Sequence, residues 1–334
     1  MFNKIYENIK KFIKEYYKIA IAYLLLFVFF LLELPFYIST PGGLINTKNK
    51  INSTFKMKGS LNMAYVSEIH ATPATLLYSV FNKDWDIEKE DEVKADNETI
   101  EEKNYRNKML LKEANDISLL VAYKNSAIDY KIENNKVYIT YVDKKAKTDL
   151  KIGDQILKID NKKLKDKDAL FSYISGKKAG DNVTFEVKDI NNKIMRKKAT
   201  LISINGTPKV GAIVTETFDV KSDKKIKTNF SKTEYGSSGG LMLTLTIYSN
   251  LNKIDLTHGK KVVGTGTIDI DGNVGEIGGV KYKLIGAVNN KADVFLVPKG
   301  DNYNEAKKIK DKRGFNIDII PVETFREALN YLEK

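Results

Sequence analysis

Through the last third of the chain, short apolar runs alternate with segments of helical period. Residues 261–270, Val294–Val297 and Asn316–Ile320 read as strands. Residues 280–289, 303–311 and the segment from Glu323 read as helices, and a nearly all-apolar helix follows Ser238. Alternation of this kind buries its apolar faces only as a sheet covered by helices. Residues 207–334 are therefore expected to form an α/β unit. The chain has no cysteine and two histidines, His70 and His258. Disulfides, thiolate zinc sites and cysteine nucleophiles are excluded, and HExxH is absent. No metal and no cofactor is expected.

Upstream, the pattern changes character. Val137–Val142 reads as a strand, Asp166–Ser175 as a helix and Asn182–Val187 as a strand. Residues 50–80 look like strands, with LNMAYVSEI alternating apolar and polar. Residues 84–104 are acidic and polar, and 105–125 read as a helix with Met109, Leu110, Ala114, Ile117 and Val121 spaced for one face. The formal charge is +12, with lysine and acid interspersed, so a solvated lysine-rich surface is expected and a nucleic-acid partner is not.

Near the amino terminus, Ile19–Leu32 carries no charge, and the stretch to Ile38 is 20 residues long. At about 1.5 Å per residue this matches a hydrocarbon core of roughly 30 Å. The preceding residues hold Lys4, Lys10, Lys11, Lys14 and Lys18 against Glu7 and Glu15. The sequence thus predicts an uncleaved single-pass anchor over 19–38, with a cytoplasmic tail (1–18) and everything after the span outside. A cleaved signal peptide is the alternative, disfavoured by the lack of a small-x-small site at LELPFYISTPGG.

The chemistry centres on Glu234-Tyr-Gly236-Ser237-Ser238-Gly239-Gly240-Leu241-Met242. Two serines between glycines at the start of an apolar helix place a hydroxyl beside unpaired N–H groups that can hold an oxyanion. A glycine-rich turn capping a helix would give the same pattern. Serine needs a base, and with histidine scarce, a buried and therefore neutral lysine is the remaining choice. Asp269-x-Asp271-Gly272-Asn273 reads as a hairpin turn rather than a calcium loop.

Two resemblances sharpen this. Leu150-Lys-Ile-Gly153-Asp154-Gln-Ile156-Leu157-Lys-Ile159-Asp160-Asn161 resembles the signature of PDZ domains. It implies peptide binding by strand addition, with the matching loop at Lys136, Val137, Tyr138 and Ile139. The segment Val263–Leu284, including Thr265-Gly266 and Ile277-Gly278-Gly279-Val280-Lys281-Tyr-Lys283, resembles the motif of Lon peptidases, and the serine segment resembles that family's GPSAG. The resemblance implies a Ser–Lys dyad with Ser238 as nucleophile and Lys281 as base, supported by Thr265, Gly236, Ser237 and Gly239. Ser237 stands where the family has proline and Gly239 where it has alanine, so Ser237 is a rival nucleophile. Lys283 is a rival base, which helical period does not decide.

As a whole the chain resembles the membrane-anchored PDZ–Lon-like peptidases of Gram-positive bacteria. The expected fold class is α+β: one transmembrane helix, a PDZ-like β-rich domain over 126–206 and a Lon-type α/β proteolytic domain over 207–334. Residues 45–125 are expected to pack with the proteolytic part. The implied function is ATP-independent endoproteolysis of unfolded or membrane-proximal polypeptides at the outer face of the cell membrane. No GxxxxGK(S/T) phosphate loop occurs. A homo-oligomer is left open. The rival reading is a degenerate peptidase serving as a membrane scaffold that binds peptides.

Overall fold

A computed structural model of the chain describes residues 2–94, 98–231 and 233–334. It divides into two compact units. One holds the residues up to Thr40 with Ser67–Val93; the other holds Pro41–Val66 and the residues from Lys94 onward. Strands β1 (Phe36–Asn46) and β2 (Ser60–His70) pass from one unit into the other.

In the first unit, helix α1 (Phe2–Leu31) precedes β1. Helix α2 (Pro73–Val80) starts with a reciprocal cap between Thr72 and Thr75 and with proline at its first turn, where no N–H is needed. Strand β3 (Asp86–Lys89) pairs antiparallel with Phe36–Ser39 and leads into a short helix, α3 (Glu90–Val93).

The membrane span expected over 19–38 does not form. Helix α1 ends at Leu31 and so holds only 13 residues of the apolar run, Ile19–Leu31. At about 1.5 Å per residue they cover roughly 20 Å, short of a hydrocarbon core. Pro35 disfavours helix at Leu34, and from Phe36 the chain is committed to strand pairing. Among the described residues no helix is long and apolar enough to cross a membrane. The single-pass anchor, the inside–outside topology and the membrane as a partner therefore have no helix to rest on, while the mixed α+β class stands.

The second unit begins its longest helix, α4 (Ile100–Asn125), with a Thr99–Glu102 capping box. A mostly antiparallel domain follows. Its elements are β4 (Lys131–Val142), β5 (Lys147–Thr148), β6 (Gln155–Ile159), β7 (Lys162–Lys163), α5 (Lys167–Ser175), β8 (Asn182–Lys188) and β9 (Ile194–Thr200). The small hairpin β10 (Ile202–Ile204) and β11 (Thr207–Lys209) leads to β12 (Ala212–Lys221). The sheet order is β12-β4-β6-β8-β9-β5, with β7 on β6. Strand β12 lies beyond the expected boundary at 206, yet it forms one end of this sheet. Alternate residues of these strands, among them Val137, Ile139, Ile156, Val183, Phe185 and Val187, close over Leu170 and Ile174 of α5.

The remaining elements are α6 (Gly240–Asn252), β13 (Lys261–Gly264), the hairpin β14 (Thr267–Ile268) and β15 (Val274–Gly275), α7 (Val280–Asn289), β16 (Val294–Pro298), α8 (Asp301–Arg313), β17 (Asp318–Val322) and α9 (Phe325–Leu332). Strands run in the order β17-β16-β13-β2, all parallel. Two apolar cores lie on this sheet. One gathers Leu61, Met63, Val262 and Leu296 with Leu241, Met242 and Leu245 of α6. The other gathers Ala64, Val263, Phe295 and Val297 with Val280, Leu284 and Ala287 of α7. Residues from 60–66 thus pair in the same sheet as β13, and α4 contributes Val121 and Ala122 to the α6 core.

Candidate active site and peptide-binding domain

The serine turn is built by close approaches that only glycine allows. Gly236 takes φ +88°, and a Cβ at Gly239 would lie 2.6 Å from the Met63 sulfur of β2. The turn closes with the Gly240 N–H donating to the Ser237 carbonyl at 3.1 Å, and α6 starts there. The Ser238 carbonyl accepts twice: from the Gly266 N–H at 2.7 Å and from the Thr265 hydroxyl at 3.1 Å. The Leu241 N–H returns a bond to the Gly266 carbonyl at 3.1 Å. Ser238, half-buried, is thereby pinned to the residues that immediately follow β13. Thr265 is fully buried. Among the described residues no acceptor takes the N–H of Ser238 or Gly239. Before the turn, Glu234 is held by Lys50 at 2.6 Å and by the Ser231 N–H.

The lysine turn also follows β13 in the chain, after the β14–β15 hairpin. A crossover carries the chain from β13 through that hairpin and α7 to the adjacent parallel strand β16. Gly279 adopts φ +71°, and a Cβ there would meet Val66 at 2.6 Å. Met63 and Val66, against which the two turns close, are three residues apart on β2, a span of about 10 Å. Ile277, just before the glycines, is clamped by Asn302: the Asn302 amide oxygen accepts its N–H at 2.8 Å and the amide nitrogen donates to its carbonyl at 3.1 Å.

The two lysines differ sharply in environment. Lys281 is half-buried, and its ammonium stands 5.1 Å from the Tyr282 ring centroid. Lys283 is 4% exposed, and desolvation pushes its pKa down to about 8. Among the described residues no carboxylate pairs with it. Val280 and Ala287, at i−3 and i+4 from Lys283, are both fully buried. Those neighbours were the sequence signal for Lys283, obscured by the equally apolar neighbours of Lys281.

Lys136, Val137, Tyr138 and Ile139 lie inside β4. All four pair with β12, and Val137 and Tyr138 also pair with β6. Val137 and Tyr138 are paired on both sides, so neither has an open edge for a peptide to add to, while among the described residues β12 pairs with β4 alone. The Gly153-Asp154 turn has its own buried ion pair: Asp154 accepts from the Lys197 ammonium at 2.6 Å and from the Lys151 N–H at 2.7 Å. At 269–273 the Asp269 carboxylate accepts the N–H groups of Asp271 and Asn273 inside the β14–β15 hairpin. His258 bonds the Leu332 carbonyl at 2.9 Å.

Residues 119–199 match the family model for the PDZ domain. The chain carries a PDZ domain. Solved relatives of this domain include one from an SdrC-like protein of Listeria innocua, 31% identical, covering 24% of this chain and 92% of that one, TM-score 0.22. The second domain of a Listeria protein is 30% identical over 25% of this chain and 88% of that one, TM-score 0.22. Beside the PDZ match, the chain is similar in part to Lon proteases. That of Campylobacter jejuni is 34% identical over 96 residues, 29% of this chain and 12% of the relative. Lon protease 2 of Borreliella burgdorferi is 27% identical over 224 residues, 61% of this chain and 25% of the relative. The chain thus spans between about an eighth and a quarter of the length of these proteases.

Proposed function

We propose that the protein is a serine endopeptidase acting without ATP on unfolded polypeptides, with Ser238 as nucleophile, Lys283 as general base and the PDZ domain presenting or admitting substrate. The observation that carries this reading is the buried ammonium of Lys283, held near a pKa of 8 with no counter-charge among the described residues, on the helix that precedes β16, the parallel neighbour of the strand after which Ser238 is pinned. Burial of a lysine without a partner costs stability, and it is the arrangement a lysine base requires. Partial similarity to Lon proteases, over 96 and 224 residues, favours a protease-related reading of a chain that carries a PDZ domain.

In the proposed reaction, the neutral Lys283 amine takes the proton of the Ser238 hydroxyl as its oxygen attacks the peptide carbonyl. The N–H groups at the start of α6 receive the oxyanion. Lysine then returns the proton to the leaving amine, and water, deprotonated by the same amine, resolves the acyl-enzyme. With a pKa near 8, about a tenth of the lysine is already neutral at pH 7.

Carboxymethylated casein incubated with the full chain tests this. Cleavage lost in Ser238→Ala and Lys283→Ala but kept in Lys281→Ala is the expected outcome. Loss in Lys281→Ala with retention in Lys283→Ala returns the base to the motif-matched lysine. No cleavage by the unsubstituted protein leaves a peptide-binding scaffold.

A further inference from the structure

Helix α4 touches both the PDZ sheet and the serine turn through side chains only a few residues apart. Strand β12 is the end strand of the sheet. On its outer edge the Glu216 N–H donates to the Glu113 carboxylate at 3.1 Å, and the Phe218 N–H donates to the Asp116 carboxylate at 3.0 Å. The Phe218 carbonyl accepts from the Lys112 ammonium at 3.3 Å, and Lys112 also pairs with Asp116 at 2.7 Å. Glu216 and Phe218 are successive outward positions on the strand, so these side chains of α4 occupy the groups that an added strand would use. The next outward position, Val214, receives no bond from α4 among the described residues. Among the described residues, α4 thus bonds the outer edge of β12 at Glu216 and Phe218 and not at Val214.

Two residues after Asp116, the fully buried Ser118 hydroxyl shares its proton between the Ala114 carbonyl at 2.6 Å and the Gly240 carbonyl at 3.1 Å. Gly240 is the first residue of α6, two residues from Ser238. One face of α4 therefore holds the strand edge, and the adjoining face holds the base of the nucleophile helix.

We propose that α4 is a displaceable cap: an extended polypeptide adding to β12 from Val214 onward takes the Glu216 and Phe218 donors from Glu113 and Asp116, and the resulting shift of α4 reaches the serine turn through Ser118. The occupant is an unfolded segment, because strand addition needs free backbone and the cap consists only of acceptors and one donor aimed at backbone groups. The link to catalysis rests on the peptidase reading; the cap does not.

The test uses the full chain in its Ser238→Ala form, so that carboxymethylated casein persists, with hydrogen exchange read over 112–118 and affinity read by anisotropy of labelled casein. Casein is expected to speed exchange across 112–118 while 216–218 stays protected. The Glu113→Ala/Asp116→Ala protein is expected to bind casein about tenfold more tightly, since a competing charged acceptor at each site is gone. Unchanged exchange in 112–118 with casein bound overturns the cap, as does equal or weaker binding by a double variant that melts cooperatively. Binding by neither protein overturns it too. With Ser238 restored, Ser118→Ala is expected to keep casein affinity and to slow cleavage several-fold; unaltered cleavage removes the link to the turn. A protein that shows the exchange change but never cleaves casein retires the peptidase reading alone.

Discussion

The hydroxyl of Thr265 donates to the carbonyl oxygen of Ser238 across 3.1 Å from a side chain with no solvent exposure. The bond fixes the backbone of the proposed nucleophile to the end of β13, while the Gly266 N–H supplies the second anchor at 2.7 Å. Thr265→Val keeps the volume and removes the donor. Its melting free energy is expected to fall by about 1 kcal/mol, and its kcat on a fluorogenic peptide about tenfold, because small displacements of a nucleophile are costly. Thr265→Ser restores the donor and is expected to recover most of kcat. A Thr265→Val enzyme with unchanged kcat would show that Gly266 alone suffices.

Lys283 ties activity and stability to pH in the same sense: both rise as its ammonium loses the proton. Its folded pKa near 8 lies below the ordinary lysine value of 10.5. The unfolded chain therefore binds the extra proton between those values, and stability rises with pH across that window. Below about pH 8 the full penalty of the buried ammonium is present. Lys283→Met is expected to gain on the order of 3 kcal/mol at pH 7, at about 1.4 kcal/mol per unit, with the gain fading as pH approaches 10.5. Urea melts at pH 7, 9 and 10.5 check this. In the unsubstituted enzyme, kcat/KM should climb to a plateau above pH 8. A gain independent of pH would mean that packing, not charge, sets the stability of the variant.

Within the PDZ domain, Asp154 and Lys197 form a pair with side chains only 2% and 9% exposed. Burial pushes the Asp154 carboxyl up, and the Lys197 hydrogen bond pulls against it. Lys197→Met strips the partner and is expected to cost roughly 3–5 kcal/mol at pH 7. The loss should shrink under acid conditions, where Asp154 is protonated and needs no counter-charge. Replacing both by apolar residues should cost less than Lys197→Met alone. A double variant as unstable as the single would mean that losing the Asp154 bond to the Lys151 N–H costs as much as leaving Asp154 without its counter-charge.

Much of this fold could be read from pattern. The runs around 182–188, 280–289 and 294–298 show their period locally, and the turn at Gly153-Asp154 is fixed by residues next to one another. What was not legible depends on distant partners. Hydropathy counted Ile19–Ile38 as one segment because it is blind to strand pairing, which takes Phe36–Ser39 into a ladder with β3. The strand at the end of the PDZ sheet, β12, starts 70 residues after its neighbour β4 ends, so its place in that sheet could not be read from local motif order. Lys281 and Lys283 both sit among apolar helix positions, and only packing in three dimensions separates a half-buried ammonium from one that is 4% exposed.

Asn302 offers the sharpest check on that separation. Its side chain, 7% exposed in the first turn of α8, bonds both the N–H and the carbonyl of Ile277. Ile277 leads into the Gly278-Gly279 turn from which α7 and Lys283 depart, so Asn302 positions the lysine without touching it. Asn302→Ala leaves both backbone groups of Ile277 unpaired and should lower stability by about 1–3 kcal/mol. A looser turn admits water to Lys283, and its pKa should move up from about 8 toward the usual lysine value. The acid limb of kcat/KM would then shift to higher pH while the plateau at high pH changes little. Asn302→Asp can still accept the Ile277 N–H but cannot donate, so its profile should fall between the two. A variant that loses stability while its pH profile stays in place would limit Asn302 to holding α8 against the loop, with no influence on the lysine.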